Sequence, residues 1–185
     1  MAAVLVLIDM QQGMRWPSLP ARNNPHAEQR LAALLQHWRQ QRWPLLHVRH
    51  LSTSPESPFW PEQSGVEFQE AFRPREGETV WDKKVPDAFT HSGLEEWLRG
   101  HGWQHLVIAG VSTHNSVEAT VRSAANRGFQ VRVVADACFT FGKHDLSGRW
   151  WPAEEIHALS LANMQEDYAD VVHSSDWLDC SLLEA

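Results

Sequence analysis

The chain has 185 residues, with 16 Lys and Arg against 23 Asp and Glu, a formal charge of −7 and 43% hydrophobic residues. That length suits one domain, residues 1–185, with a core large enough to need no staples, and the acidic balance argues against a general nucleic-acid binder, which needs a basic surface. Two cysteines, Cys138 and Cys180, cannot build a disulfide framework, no zinc spacing is present, and no apolar run approaches the roughly 20 residues of a membrane span.

The start, MAAVLVLIDM, has no basic segment, and its apolar run ends in Asp9. It reads as a first strand over Ala3–Ile8, buried on both faces, rather than a leader. A soluble protein of a reducing compartment, the cytoplasm, is expected. Ala27–Arg42 places Leu31, Leu34, Leu35 and Trp38 on one helical face. Pro44–Val48 reads as the second strand. Ser52–Arg75, rich in Pro, Ser and Glu, has no clear period and forms a long connection. Thr79–Asp82 is a short third strand, and Leu94–Arg99 a helix closed by Gly100 and Gly102. His105–Ala109 is the fourth strand, Val117–Arg127 a helix ended by Gly128, and Phe129–Ala135 the fifth strand. Glu154–Glu166 is the last helix and Ala169–His173 the sixth strand. Strands alternating with helices imply an α/β fold: a three-layer α/β/α sandwich, Rossmann-like, around a six-stranded, mostly parallel sheet. In such sheets ligands bind beyond the carboxyl ends of the strands, so chemistry is sought there.

Three strand ends carry candidate groups. Asp9 directly follows five aliphatic residues; a partly desolvated carboxylate there suits a general base, and a turn or helix cap is the plain alternative. Lys83 and Lys84 follow the third strand. Side chains alternate faces, so only one of them can face a pocket, and two solvated lysines are the plain alternative. The fourth strand runs through Gly110-Val111-Ser112-Thr113-His114-Asn115-Ser116 into a helix. Ser116 there lies near free N–H groups and the positive end of the helix dipole, where an oxyanion or nucleophile is stabilised. A simple N-cap is the commoner use of such a serine. The glycine spacing fits neither a nucleotide loop nor a GxSxG elbow. His47 and His50, near the end of the second strand, and His101 and His105, separated by Gly102, make poor metal sets. Trp38, Trp97 and Trp103 are spaced as core or helix-face fillers, whereas Trp60, Trp150 and Trp151 fall in irregular segments, where aromatic rings also line pockets and interfaces.

Four stretches in this order and spacing resemble the isochorismatase-like cysteine hydrolase superfamily, which includes nicotinamidases, N-carbamoylsarcosine amidases, ureidoacrylate-type amidases and isochorismatases. They are Val6-Leu7-Ile8-Asp9-Met10-Gln11, Asp82-Lys83-Lys84-Val85-Pro86-Asp87-Ala88-Phe89, Gly110 through Thr120, and Val134-Ala135-Asp136-Ala137. The resemblance implies a parallel sheet between helical layers and a catalytic Asp-Lys-Cys set. By motif register these are Asp9, Lys83 rather than Lys84, and position 116, which here is Ser116. It implies a cis peptide between Val111 and Ser112, and an oxyanion hole from the backbone N–H groups of Ser112 and Ser116. A substrate of the small amide or ureido class follows, with no cofactor and no metal, since Leu51–Gly65 lacks the Asp-x-His motif of metal-binding nicotinamidases. Gln11 and Trp60 are expected to line the substrate pocket. Gly142–Pro152 corresponds to a region that contacts neighbouring subunits in relatives, so a homo-oligomer, dimer or tetramer, is expected, with no nucleic-acid or membrane partner.

Ser116 departs from the pattern. A thiol ionises near ~8.5, whereas an alcohol is a far weaker acid and an Asp–Lys pair activates it poorly. Its origin is open between an introduced replacement, a natural divergence toward nucleophile-free vinyl-ether hydrolysis of the isochorismatase kind, and a non-catalytic binder that keeps the pocket. The first two leave the same trace in a sequence.

Overall fold

The computed structural model describes residues 3–178. Its centre is a six-stranded parallel sheet in the order β3-β2-β1-β4-β5-β8, built from β1 (Val4–Ile8), β2 (Leu45–His50), β3 (Thr79–Lys83), β4 (His105–Val111), β5 (Gln130–Phe139) and β8 (Asp170–Val172). Four α-helices connect it: α1 (Ala27–Gln41), α2 (Leu94–Gly100), α3 (Glu118–Asn126) and α4 (Ala153–Gln165). The first three strands step outward in one direction and the later ones in the other. The order therefore reverses between β1 and β4, and the crevice beyond their carboxyl ends is the natural ligand site.

Every residue of β1 is buried, as a central parallel strand covered on both faces requires. The α1 stripe foreseen from its period, Leu31, Leu34, Leu35 and Trp38, is likewise buried. Trp38 is wholly enclosed and its indole N–H donates to the Ala3 carbonyl at 3.0 Å, so the largest side chain of the helix is buried without an orphaned donor.

Several boundaries differ from those read in the sequence. β5 runs on through Asp136-Ala137-Cys138 to Phe139, because its register with β4 shifts between Ile108 and Gly110 and the ladder then resumes at Gly110 opposite Cys138; a bulge of this kind hides a strand's continuation from its hydrophobic period. Two further strands, β6 (Lys143–His144) and β7 (Trp150–Trp151), pair as a small antiparallel hairpin, closed by Asp145, whose carboxylate accepts from the N–H groups of Ser147 and Arg149 and from the Trp151 indole. The long connection 52–75 is not structureless: it holds short 3-10 turns at Ser64–Val66 and Glu70–Phe72, and Phe68 bridges to Gln11. Cys180 lies outside the described residues. No helix among the described residues is long and apolar enough to cross a membrane.

Candidate active site

Three strand ends converge. Ile8 and Gly110 are partners in the β1–β4 ladder. A Cβ at Gly110 would sit 2.2 Å from the Ile8 carbonyl oxygen, and Gly110 has φ +130°, so only glycine lets the two strands finish this close together. Just past that contact Asp9 adopts φ +52°, a left-handed conformation that Asp tolerates better than most residues, and the chain turns so that its carboxylate points across the sheet end. On the other side, Lys83 ends β3 and Lys84 points out: Lys83 is 3% exposed while Lys84 is on the surface, the alternation a strand imposes. The segment behind Lys83 is tied to α3, where the Ala88 N–H donates to Thr120 Oγ1 and Ser123 Oγ donates to Asp87.

The third group comes from the turn after β4. The Val111–Ser112 peptide is cis. The residues Thr113–Val117 then form one wide π turn before α3 begins at Glu118, later than the sequence period suggested, and such π turns recur at functional sites. Ser116 lies inside this turn. α4 clamps the turn from outside. Its Ser160 Oγ reaches the Thr113 carbonyl at 3.1 Å and Glu118 at 2.6 Å, and its His157 Nδ1 lies 2.8 Å from Thr113 Oγ1. On its other flank the His114 ring bonds Thr140 Oγ1, whose own N–H donates to Asn23.

The result is a buried polar cluster. Lys83 Nζ donates to Asp9 Oδ2 at 2.8 Å and to Ser116 Oγ at 3.3 Å. The side chains of Lys83 and Asp9 are 0% and 1% exposed, and Ser116 is 7% exposed. Removing a carboxylate and an ammonium from water costs several kcal/mol each, which their attraction only partly returns, so stability alone does not account for the pair. The second carboxylate oxygen, Asp9 Oδ1, is buried with no hydrogen-bond partner. The arrangement can therefore accept a proton at Asp9 Oδ1, supply positive charge at Lys83 and present Oγ of residue 116 at the start of a helix.

The two expected pocket residues are placed differently. Gln11 is fully buried, and its amide is committed to backbone: Nε2 donates to the carbonyls of His50 and Val66 at 3.0 and 2.9 Å, and Oε1 accepts from the His50 N–H at 2.9 Å. It ties β1 to the end of β2 and to the long connection, and little of its hydrogen-bonding capacity is left for a ligand. Trp60 is half-buried within the turn 57–63. No ring contact or hydrogen bond joins it to Asp9, Lys83 or Ser116 among the described residues; it is its neighbour Phe59 that packs on His50, ring to ring at 5.8 Å. His50, whose place at a strand end was visible in the sequence, and His157, in the middle of a helix where no local pattern marks it, are the polar neighbours of the site that sequence reasoning passed over. Among the described residues no group of three or more His, Cys, Asp or Glu is arranged to hold a metal ion.

Comparisons with known proteins agree with this architecture. The isochorismatase domain family model matches residues 3–176. YddQ of Bacillus subtilis, an uncharacterised isochorismatase family protein, is 36% identical over 173 residues, 92% of this chain and 96% of its own. A Chromobacterium violaceum crystal structure assigned to the isochorismatase family of hydrolases superposes with a TM-score of 0.93 at 50% identity, covering 98% of this chain and 93% of that one. Over a shorter stretch of 109 residues, 59% of this chain and 46% of the relative, the maleamate amidohydrolase of Pseudomonas putida is 29% identical.

Proposed function

The chain belongs to the isochorismatase family of hydrolases, and from that premise we propose that its site is built to cleave the C–N bond of a small amide or ureido compound with Asp9, Lys83 and residue 116 as the catalytic set. The observation that carries this reading is the Lys83 ammonium held between Asp9 and Ser116 in a buried cluster. The kinship with a maleamate amidohydrolase supports the amide class.

With a thiol at position 116, Asp9 Oδ1 takes the thiol proton and the sulfur attacks the substrate carbonyl. The tetrahedral oxyanion is held by the backbone N–H groups of Ser112 and Ser116 at the head of α3. Lys83 offsets the negative charge passing between Asp9 and the nucleophile. Collapse breaks the C–N bond, the amine leaves with the proton stored on Asp9, and water, deprotonated by the same carboxylate, releases the acid. No cofactor enters this sequence of steps. With the alcohol of Ser116 the first proton transfer is far less favourable, so the chain as it stands is a weak or silent catalyst and the Ser116→Cys variant an active one.

The test is hydrolysis of maleamate, nicotinamide and small ureido acids by the purified chain and by Ser116→Cys. The expected result is turnover by the variant that Asp9→Asn abolishes. Activity that Asp9→Asn removes but Ser116→Cys does not raise would assign the site instead to nucleophile-free vinyl-ether hydrolysis. Ligand binding untouched by Asp9→Ala and Lys83→Ala would make the protein a binder.

We also propose that the cytoplasmic form is a homo-oligomer joined through the β6–β7 hairpin and α4. The exposed Leu146 and Trp150 of the hairpin and Leu159 of α4 support this, because large exposed apolar groups recur at interfaces. Sedimentation of the chain and of Leu146→Asp is the check: the first should be a dimer or tetramer and the second a smaller species.

A further inference from the structure

The catalytic set accounts for the bond that breaks but leaves the rest of the substrate unheld, and with Gln11 tied to backbone another residue must recognise it. The sheet order offers one. β2 lies between β3, which carries Lys83, and β1, which leads to Asp9. Its last residue, His50, is the register partner of Lys83, so the two side chains leave the sheet on the same face. Lys83 and Asp9 both act on the His50 ring, after burial, which is the largest influence and holds its pKa below the ordinary value; near neutral pH it is an uncharged imidazole, able to donate at one nitrogen and accept at the other.

Two features argue that the ring is placed for a ligand and not for packing. Its Nδ1 is buried without a hydrogen-bond partner, and an unpaired buried polar atom is rare enough in native proteins to ask for an explanation; unlike His47 and Gln69, which share the condition, His50 lies in register with Lys83. Its backbone is also held at both ends by the one Gln11 amide, N–H to Oε1 at 2.9 Å and carbonyl to Nε2 at 3.0 Å, which fixes where the ring stands. Beside it Phe59 stands edge-on at an interplanar angle of 71° and is half-buried. Room for it comes from Gly13, where a Cβ would approach the Phe59 ring to 2.6 Å. An imidazole and a flat apolar ring thus form one wall next to the catalytic set.

Resting on the amide-hydrolase reading above, we propose that His50 is the specificity residue of the site: it hydrogen-bonds a heteroatom carried by a planar acyl group that lies against Phe59, on the side of the substrate away from the bond that is cut. The substrate class is then a small aromatic or unsaturated amide with a ring or chain heteroatom, in preference to a plain hydrocarbon amide of the same shape.

The full-length Ser116→Cys protein allows a test that needs no turnover. The rate at which iodoacetamide alkylates its introduced thiol is measured in the presence of nicotinamide, isonicotinamide, 3-hydroxybenzamide or benzamide, giving a protection constant for each. At least one of the three heteroatom-bearing amides should protect ten-fold or more better than benzamide. Adding His50→Phe should bring that ratio to about one, and His50→Gln, which keeps a hydrogen-bonding group, should restore part of it. Because the readout is a ratio between two ligands of one shape, a general loosening of the fold does not mimic it. A parent protein with no preference over benzamide, or a preference that survives His50→Phe, overturns the assignment of His50 while leaving the catalytic set intact. A thiol at position 116 that reacts no faster than a cysteine in a free peptide overturns the catalytic reading itself, and this proposal with it.

Discussion

Ser116 and Cys138 stand on neighbouring stretches of the same sheet end, Cys138 paired with Gly110 just before the turn that carries Ser116, yet they meet opposite surroundings. Ser116 Oγ accepts a hydrogen bond from a buried ammonium and sits where a helix begins. Cys138 is enclosed by the core, and burial, aided by the nearby Asp136, pushes its thiol up to about 12 despite a hydrogen bond with the Gly110 backbone. The protein thus holds a sulfur nucleophile where an anion is forbidden and an oxygen where an anion is welcome. Reactivity here belongs to the place and not to the residue type.

Exchanging the atoms gives the largest expected effect. In Ser116→Cys the new thiol should be alkylated by iodoacetamide at pH 7 on the order of a hundred-fold faster than Cys138, with peptide mapping by mass spectrometry to assign the labelled positions. Equal labelling of both would erase the contrast. Next comes the ammonium. Lys83→Met strands the buried Asp9 carboxylate and should cost about 3–5 kcal/mol in urea denaturation, with Asp9→Asn added in the same chain recovering most of the loss. Gly110→Ala tests the close approach that aligns the two regions: a methyl 2.2 Å from the Ile8 carbonyl should cost about 1–3 kcal/mol by the same measurement.

The smallest effect is in pH. His47, His50, His114 and His157 are all held below the ordinary histidine value, burial being the first cause in each. The folded chain therefore binds fewer protons than the unfolded one. Their contribution is complete above the unfolded value near ~6.5 and is lost as pH falls below it. Glu78 adds a second decline, since Arg39, the Arg75 N–H and His47 outweigh its burial and lower it from 4.5 to about 2. Calorimetry should show a melting temperature that is level from pH 8 to 7 and falls below ~6.5, then more steeply below ~4.5. Two of these histidines, His114 and His157, brace the turn of Ser116, whereas Cys138 is held in the β4–β5 backbone ladder opposite Gly110, which does not titrate. Amide exchange should accordingly rise around Ser116 before it rises around Cys138 as the solution is acidified.

Much of this was legible in the sequence because the strong signals are long-period ones. Continuous aliphatic runs mark buried parallel strands, and the α1 stripe marks its inner face. Strand alternation plus motif register separated Lys83 from Lys84. The three groups that meet in the buried cluster, Asp9, Lys83 and Ser116, were visible as neighbours of strand ends, since the end of a strand is readable even when its partner in space is not. What escaped was set by tertiary contact. Nothing local shows that the Gln11 amide would be spent on His50 and Val66, or that Phe59 rather than Trp60 would turn toward the site, since both depend on the path of residues 52–75. The β6–β7 hairpin has two-residue strands, too short for any period, and the bulge after Ile108 conceals the last third of β5. The π turn at Thr113–Val117 looks in sequence like the first turn of α3.

The strand order also governs when this site can come into being. Asp9 and Lys83 are 74 residues apart, and Lys83 and Ser116 a further 33, with β2 between the first two and the β1–β4 ladder between the outer pair. Closing such separations in a parallel sheet is slow, because long loops must be ordered before any contact repays them. As the chain leaves the ribosome, Asp9 emerges first, Lys83 later and Ser116 last, and none of the three is buried until β4 has docked beside β1. The assembled cluster is thereby withheld from every partial product of synthesis, and its burial marks the completion of the sheet.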